Sequence, residues 1–198
     1  MLAEILTRNL RVLFAGTAVT KMSDDLGFYH LDKDDKFWWM LEYGSLTEGP
    51  VVSPQERKII LDTFKTHALN DIYRRLFFEK KERVLAGRRI GLTVVNRRVV
   101  VNTIDEAEAA PTHEDVRKFI ATVNKIQPRI VALITGLDVF EASFTPLYPG
   151  VTRKRGKQEF SIGDSEVWLL GPTSGKGKDN RAQEDAFEAL GKRVGAMA

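Results

Sequence analysis

The sequence contains no cysteine, and this absence excludes several kinds of protein at once. Disulfide bonds, thiolate zinc sites, iron–sulfur clusters and a thiol nucleophile are all ruled out. No uncharged stretch approaches the length of a membrane span, and the apolar residues near the N-terminus are too few and too interrupted by charge for a secretory signal. We therefore expect a soluble cytoplasmic protein that has no membrane partner.

A strong excess of one charge is also missing, because 30 Lys and Arg face 27 Asp and Glu. The 43% hydrophobic and 29% charged residues are ordinary for a folded protein, and 198 residues suit one domain, so we predict a single domain over residues 1–198. The three histidines, His30, His67 and His113, lack the spacing of metal ligands. We predict no metal site.

Short runs of residues that favour β-structure recur along the chain and stop at a glycine. We predict three buried strands from them: Leu10–Ala15 before Gly16, Arg129–Thr135 before Gly136, and Glu166–Leu170 before Gly171. Between and after these strands, apolar residues recur at helical spacing, in two cases behind a capping Ser or Thr. The predicted helices cover Phe37–Tyr43, a segment beginning at Ser53, a segment beginning at Thr112, and Gln183–Val194.

Strands that alternate with amphipathic helices predict an α/β fold, a three-layer α/β/α sandwich around a mainly parallel central sheet. Sites in such folds lie past the carboxyl ends of the strands, which directs attention to Gly16–His30 and Gly171–Arg181. The segment Arg88–Thr103 differs, because two β-like runs flank Asn96-Arg97. We predict a β-hairpin insertion near residues 88–103.

Basic residues are clustered although the net charge is small. Nine Lys and Arg lie between Arg74 and Arg98 against two Glu, and smaller clusters cover Arg153–Lys157 and Lys176–Arg181. Such clusters suit a phosphate backbone, but a solvated surface of mixed charge explains them equally well. The arginines of the predicted hairpin have the same two interpretations, a grip on DNA or a charged edge that prevents strand pairing.

A series of short motifs resembles the mismatch-specific uracil-DNA glycosylases, the bacterial relatives of thymine-DNA glycosylase. The motifs are Asn9–Gly16, Ser23, Gly27-Phe28, Lys36–Trp38, Ser53–Glu56, Gln127-Pro128, Ala132–Ile134, Gly156–Gln158, Ile162-Gly163, Val167–Leu170 and Ser174-Gly175. Each motif is weak alone, but their order and spacing together are specific. The resemblance covers most of the chain except roughly residues 78–110.

The resemblance implies a monofunctional DNA glycosylase of base excision repair. Such an enzyme binds duplex DNA, rotates uracil or another deaminated or mispaired base out of the stack, and hydrolyses the bond between base and sugar. The departing base is an anion, so the pocket also needs donors for its charge. The resemblance implies DNA as the partner and no cofactor, and we expect a monomer.

The resemblance also implies roles for residues of this sequence. Gly16, Thr17 and Ala18 would supply backbone donors from the loop after the first strand, and Phe28, Tyr29 and His30 would line the base pocket, with the His30 ring stacking on the base. Ser23 would contact DNA, together with the loop that enters the duplex, which consists of Ser174, Gly175, Lys176, Gly177 and Lys178.

The sequence departs from the family at the residue that positions the attacking water. The family motif Gly-Ile-Asn-Pro-Gly is replaced by Gly16–Thr20, so that Ala18, which cannot hold water, stands in place of the Asn. We rank Asp71 first and His30 second as replacement catalytic residues, ahead of Asp24 or Asp25. Asp71 could equally be a helix N-cap, and His30 a partly buried ring. The alternative function is a catalytically weak or inactive nucleic-acid-binding homologue.

Overall fold

The computed structural model describes residues 2–27, 29–30, 35–47, 89–104, 107–149, 151–173 and 180–197. These residues belong to two compact units of the chain. The first unit comprises Met1–Tyr29 and Arg89–Pro172, and the second comprises His30–Arg88 and Thr173–Ala198. Each unit is therefore built from two stretches of sequence that lie far apart along the chain.

The first unit contains a five-stranded sheet with the strand order β2-β1-β3-β5-β4. Its strands are β1 (Val12–Thr20), β2 (Ile90–Val101), β3 (Ile130–Ile134), β4 (Gly156–Ile162) and β5 (Ser165–Leu169). The first three and β5 run parallel, whereas β4 pairs antiparallel with β5 at one edge. The predicted α/β class is confirmed, and the strands predicted before Gly136 and Gly171 are β3 and β5.

Five helices lie in the described part of the chain: α1 (Lys21–Leu26), α2 (Phe37–Tyr43), α3 (His113–Ile126), α4 (Leu137–Phe144) and α5 (Asn180–Gly195). A short 3₁₀ turn covers Ala107–Ala109. The helices predicted at Phe37, at Thr112 and over Gln183–Val194 are confirmed, and the one predicted at Ser53 lies outside the described residues. None of the helices that the structure describes has the length and apolar character of a membrane span.

The core of the first unit lies between one face of the sheet and two helices. Alternate residues of β1, β3 and β5 point to this face, where they meet Val116, Phe119 and Val123 of α3 and Phe140 and Phe144 of α4. The intervening strand residues on the opposite face are buried as well: Val12, Phe14, Ile130, Ala132 and Trp168. Burial on both faces is typical of the parallel sheet of an α/β protein.

The start of α3 follows the capping signal in its sequence. The Thr112 hydroxyl accepts a hydrogen bond from the Asp115 amide, and the Asp115 carboxylate accepts one from the Thr112 amide at 2.8 Å. Two backbone donors that the helix leaves unpaired are thereby satisfied. Asp115 is thus both a cap and, at 2% exposure, a buried carboxylate.

The structure corrects the prediction that the first strand stops at Gly16. Strand β1 continues to Thr20, because β2 pairs with it through Ala18 and, after an irregularity, through Val19 and Thr20. All nine residues of β1 are buried. Pairing with a strand that follows far later in the chain thus overrides the local stop signal of a glycine.

The predicted hairpin near residues 88–103 is also wrong. Residues Ile90–Val101 form one strand, β2, which runs parallel to β1 along its whole length. The register passes from Ala18↔Asn96 directly to Val19↔Val100, so three residues of β2 bulge out of the ladder. The Asn96-Arg97 pair that resembled a hairpin turn therefore marks a bulge.

The second unit contains a close contact between two helices at a pair of glycines. A Cβ on Gly191 of α5 would overlap the carbonyl oxygen of Gly44, which follows α2, and a Cβ on Gly44 would lie 2.7 Å from the carbonyl oxygen of Phe187. Only glycine at both positions lets the two backbones approach this closely. This contact fixes α2, and the segment that precedes it, against α5.

Candidate functional site

In the first unit, the strand order reverses between β1 and β3, where ligands bind in α/β sheets. The pairing of β1 with β3 stops at Gly16↔Ile134, whereas its pairing with β2 continues to Thr20. Beyond the last β3 pair, the Thr17 hydroxyl donates to the Thr135 hydroxyl at 3.0 Å. Two buried neutral hydroxyls therefore occupy this end of the sheet.

The three residues predicted as a donor loop lie within strand β1. Gly16, Thr17 and Ala18 are all buried, and Gly16 and Ala18 stand in register with residues of β2. The loop predicted after Gly16 is corrected accordingly, because these backbone groups belong to a paired strand. The side chain of Ala18 contributes no polar group, and the hydroxyl of the neighbouring Thr17 is bonded to Thr135, so the position of the family's Asn holds no residue that could orient water.

Ser23 lies in α1, and its contacts explain its position without DNA. The side chain is buried at 4% exposure, its amide donates to the Thr20 hydroxyl at 3.4 Å, and the two hydroxyls lie 3.1 Å apart. Thr20 is the N-cap of this helix. The contacts with the N-cap residue thus account for the buried position of Ser23, and its contact with DNA stays a prediction.

Tyr29 closes the first stretch of the first unit and is 4% exposed. Burial, reinforced by the Glu4 carboxylate and partly offset by Arg97, raises the pKa of Tyr29 well above its ordinary value. Its hydroxyl has no hydrogen-bond partner among the described residues, which is rare for a buried polar group. The ring is therefore a buried one, rather than an open platform for a base.

His30 opens the second unit and forms a pair with Asp35. The Nδ1 atom of His30 lies 2.8 Å from Oδ2 of Asp35, and the two side chains are only 12% and 7% exposed. One face of the imidazole stacks on Phe37, with the ring centroids 4.0 Å apart and the planes inclined by 21°. The indole of Trp38 also donates to the His30 carbonyl at 3.2 Å.

These contacts hold His30 in an unusual backbone conformation, with φ at 57°. A non-glycine residue in this left-handed region costs free energy and persists only where the surroundings fix it. The strain, the stacked ring and the buried carboxylate thus concentrate on one residue. Such concentration is typical of a functional position.

The Asp35 carboxylate is the anchor of this site. Burial alone would raise its pKa, but the charge of His30 and hydrogen bonds from His30, Thr173 and the Phe37 amide outweigh burial and hold the pKa below its ordinary value. The carboxylate is therefore ionised at neutral pH and can only accept hydrogen bonds. It follows that Nδ1 of His30 carries the proton and that Nε2 is the atom left for chemistry.

The same site joins the two segments that the sequence singled out. Asp35 accepts a hydrogen bond from the Thr173 side chain, and the amide of Lys36 donates to the Thr173 carbonyl at 2.9 Å. Thr173 directly precedes the residues predicted to enter DNA. The structure therefore brings the His30 segment together with the chain that follows β5.

The sequence did not identify Asp35 as a site residue. One signal was present, since Asp35 stands just before the helix that begins at Phe37, where a carboxylate can accept backbone hydrogen bonds. Its burial depends on Thr173, which is distant in sequence and could not have been paired with it. This pairing is the main addition that the structure makes to the site.

Other predicted site residues lie outside the described residues. They are the catalytic candidate Asp71, the stacking candidate Phe28, and the DNA loop Ser174, Gly175, Lys176, Gly177 and Lys178. Within the described ranges, no group of three or more His, Asp or Glu is arranged to hold a metal ion.

Searched against profiles of known protein families, the chain matches none of them. The likeness to uracil-DNA glycosylases therefore depends on the order and spacing of the short motifs in the sequence.

Proposed function

We propose that this protein is a DNA glycosylase that hydrolyses the N-glycosidic bond of uracil, or of another deaminated or mispaired base, after flipping the base out of duplex DNA. The observation that carries the proposal is the buried His30–Asp35 pair, bonded to Thr173. It unites an oriented imidazole with the segment expected to enter the duplex. The α/β sheet and the order of the motifs support the same assignment.

His30 is the residue that we assign to the chemistry. The Asp35 carboxylate accepts the proton on Nδ1, so that Nε2 is the nitrogen that can exchange a proton with the reactants, and no described residue occupies that atom. Water adds its oxygen to C1′ of the sugar, the bond from C1′ to the base nitrogen breaks with its electron pair passing to the base, and the proton lost by the water passes to Nε2. A positioned acid or base of this kind contributes about 10²–10⁴-fold in rate.

Phe37 limits how His30 can contact a base. One face of the imidazole is covered by the Phe37 ring at 4.0 Å. A flipped base could therefore stack only on the opposite face, or receive a hydrogen bond from the ring edge once Nε2 is protonated. In the second case the imidazolium would stabilise the negative charge that develops on the departing base.

A second function, a nucleic-acid-binding protein with weak or no excision activity, is favoured by Ala18. The family's water-positioning Asn is absent, and Ala18 is buried in β1, so this strand contributes no side chain to the chemistry. Under this alternative the His30–Asp35 pair would recognise an exposed base without cleaving its bond. Both functions require binding to DNA.

A single-turnover assay separates the two functions. Duplex oligonucleotides with uracil, hypoxanthine, xanthine or thymine opposite guanine are incubated with excess protein, and abasic sites are revealed by alkaline cleavage. We expect cleavage with at least one of these bases, and a loss of about 10²–10⁴-fold in rate for His30→Gln. Arg153→Gln, which alters an exposed ion pair on α4, is the matched control and should retain the parental rate.

The same assay assigns the catalytic role between two residues. A large loss in His30→Gln with little change in Asp71→Asn would support His30, and the reverse would transfer the role to Asp71. If the parent binds these duplexes but cleaves none of them, the glycosylase function is wrong and the binding function takes its place.

A further inference from the structure

The bulge in β2 is held by a buried asparagine. Asn96 is fully buried, and its side-chain amide lies 2.8, 3.2 and 3.3 Å from the carbonyl oxygens of residues 108, 109 and 110. Its side-chain oxygen accepts a hydrogen bond from the Arg98 amide at 3.1 Å. The Asn96 side chain therefore binds residues 108–110 through its nitrogen and the bulge through its oxygen. These bonds give the two arginines that follow Asn96 a defined backbone position.

The two arginines of the bulge are each held by one carboxylate. Arg97 pairs with Glu4 at 2.8 Å, and the Nε atom of Arg98 lies 2.7 and 2.8 Å from the two oxygens of Asp115. The two Nη groups of Arg98 have no partner within the described part of the chain, and the side chains of Arg97 and Arg98 are 50% and 46% exposed. Both guanidinium groups are thus oriented while several of their N–H donors stay open to solvent.

These arginines line a cavity of about 250 Å³ in the first unit. Lys118 of α3 adds a third cation to its wall, Thr122 adds a hydroxyl, and Val95 and Phe119 provide apolar surface. The cavity lies beside the carboxyl-terminal half of β1, since the bulge falls between the pairs Ala18↔Asn96 and Val19↔Val100. It therefore lies at the edge strand β2, on the other side of β1 from the reversal of strand order between β1 and β3.

We propose that the cavity at the β2 bulge binds a phosphate group of a nucleic-acid backbone through Arg97, Arg98 and Lys118. The lining holds three cations and the carboxylates of Glu4 and Asp115, and Glu114, which pairs with Lys118, lies outside it. Two oriented guanidinium groups with open N–H donors match the oxygens of a phosphate. A single phosphate fits the cavity, and the chain on either side of it would continue into solvent across the exposed arginines. The choice of nucleic acid as the source of the phosphate depends on the proposed function.

Salt dependence of DNA binding tests this site. Affinity for a lesion-free fluorescent duplex is measured by anisotropy at several salt concentrations for the parent and for Arg97→Gln, Arg98→Gln and Lys118→Gln. We expect each variant to bind about two- to fivefold more weakly at low salt. The slope of log K against log salt should become shallower by about 0.9 for each phosphate that the variant no longer neutralises.

Two features of the design keep the test decisive. Lys192→Gln is the control, because it removes a lysine that is 75% exposed and paired with a glutamate of its own helix, as Lys118 is, but that lies outside the cavity and outside the basic clusters of the sequence. Lys118→Gln leaves Glu4 and Asp115 with their partners, because among the described residues the ion pair of Lys118 is with the exposed Glu114, at 3.5 Å. An unchanged slope in all three cavity variants, or an equal change in Lys192→Gln, would overturn the proposal.

Further arms separate this site from the proposed function and from a free ligand. If the parent excises a base but the cavity variants bind DNA as the parent does, the cavity proposal fails and the glycosylase function stands. If DNA binding depends on the arginines but no base is released, the cavity proposal stands and the glycosylase function is wrong. If inorganic phosphate or a mononucleotide binds in calorimetry with the same dependence while duplex DNA does not bind, the nucleic-acid source is wrong.

Discussion

Two buried aspartates, Asp35 and Asp115, stand near the starts of helices, and their partners differ in one decisive respect. Asp115 faces the guanidinium of Arg98, a type of group that does not act as an acid or a base in proteins, whereas Asp35 faces the imidazole of His30, a type of group that does. Both carboxylates also accept backbone hydrogen bonds from their own helix start. Similar local geometry thus supports two pairs, of which only the His30–Asp35 pair contains a cation that can give up its proton.

The difference shows how to separate a structural pair from a functional one. Arg98 is almost half exposed and can satisfy its charge in water, and Asp115 would still be capped by Thr112. His30 is stacked on Phe37, strained in its backbone and buried with its partner. The start of α2 requires only the Asp35 carboxylate, and it does not require an imidazole held in this orientation. The pKa of each carboxylate is lowered, so a lowered pKa by itself does not distinguish the two roles.

The largest effect is expected from Asp35→Asn. The new amide can still accept from the Phe37 amide, but it donates to Nδ1 of His30 and so moves the ring proton to Nε2. The excision rate should fall by about 10²–10⁴-fold in a preparation whose urea transition shows that it is still folded. Single-turnover cleavage and urea unfolding of the same preparation measure both. A parental rate in this variant would remove Asp35 and His30 from the mechanism.

Asp115→Ala should act on stability. It removes the carboxylate half of the α3 capping box and the partner of Arg98, while the Thr112 hydroxyl still caps the helix, so the free energy of unfolding should fall by about 2 kcal/mol. Asp138→Ala is the matched control, because Asp138 also lies in the first turn of a helix and pairs with an arginine but is 84% exposed. Urea unfolding measures both, and an equal loss in the control would show that burial of Asp115 is irrelevant.

Acid should weaken the protein through both aspartates. Each has a folded-state pKa below its unfolded value of about 3.9, so its stabilisation is complete above that pH and is lost as the pH falls through the folded pKa. The urea concentration at the midpoint of unfolding should therefore decrease once the pH falls below about 4. This decrease should be less steep in Asp115→Asn. A variant whose acid profile matches that of the parent would exclude Asp115 as a source of the pH dependence.

The smallest effect is expected from Thr17→Val, which removes a neutral hydrogen bond between two buried hydroxyls. The free energy of unfolding should fall by about 1 kcal/mol, because the Thr135 hydroxyl is left without this partner. Thr17→Val/Thr135→Val should recover part of this loss, since no polar group is then left unsatisfied. If Thr17→Val lost as much free energy of unfolding as Asp115→Ala, the charge of Asp115 would add nothing to the stability that its hydrogen bonds provide.

Local signals predicted the elements that depend on local contacts. The cap at Thr112 predicted α3, and the stop before Gly171, which adopts φ 85°, predicted the end of β5. The extension of β1 to Thr20 could not be predicted, because it depends on β2, and the hairpin prediction failed because the carbonyl partners of Asn96 lie more than ten residues away. For the candidate site, the sequence identified His30 but not the carboxylate that orients it.

The division of the second unit between two distant stretches of chain has a consequence for how the protein is made. Asp35 and α2 leave the ribosome well before Thr173 and α5, which contact them and follow only after the whole sheet of the first unit has been synthesised. Closing so long a loop is entropically costly, and contacts between distant residues form slowly. The imidazole–carboxylate couple should therefore gain its contact with Thr173 late, and a nascent polypeptide released before Thr173 would lack that contact.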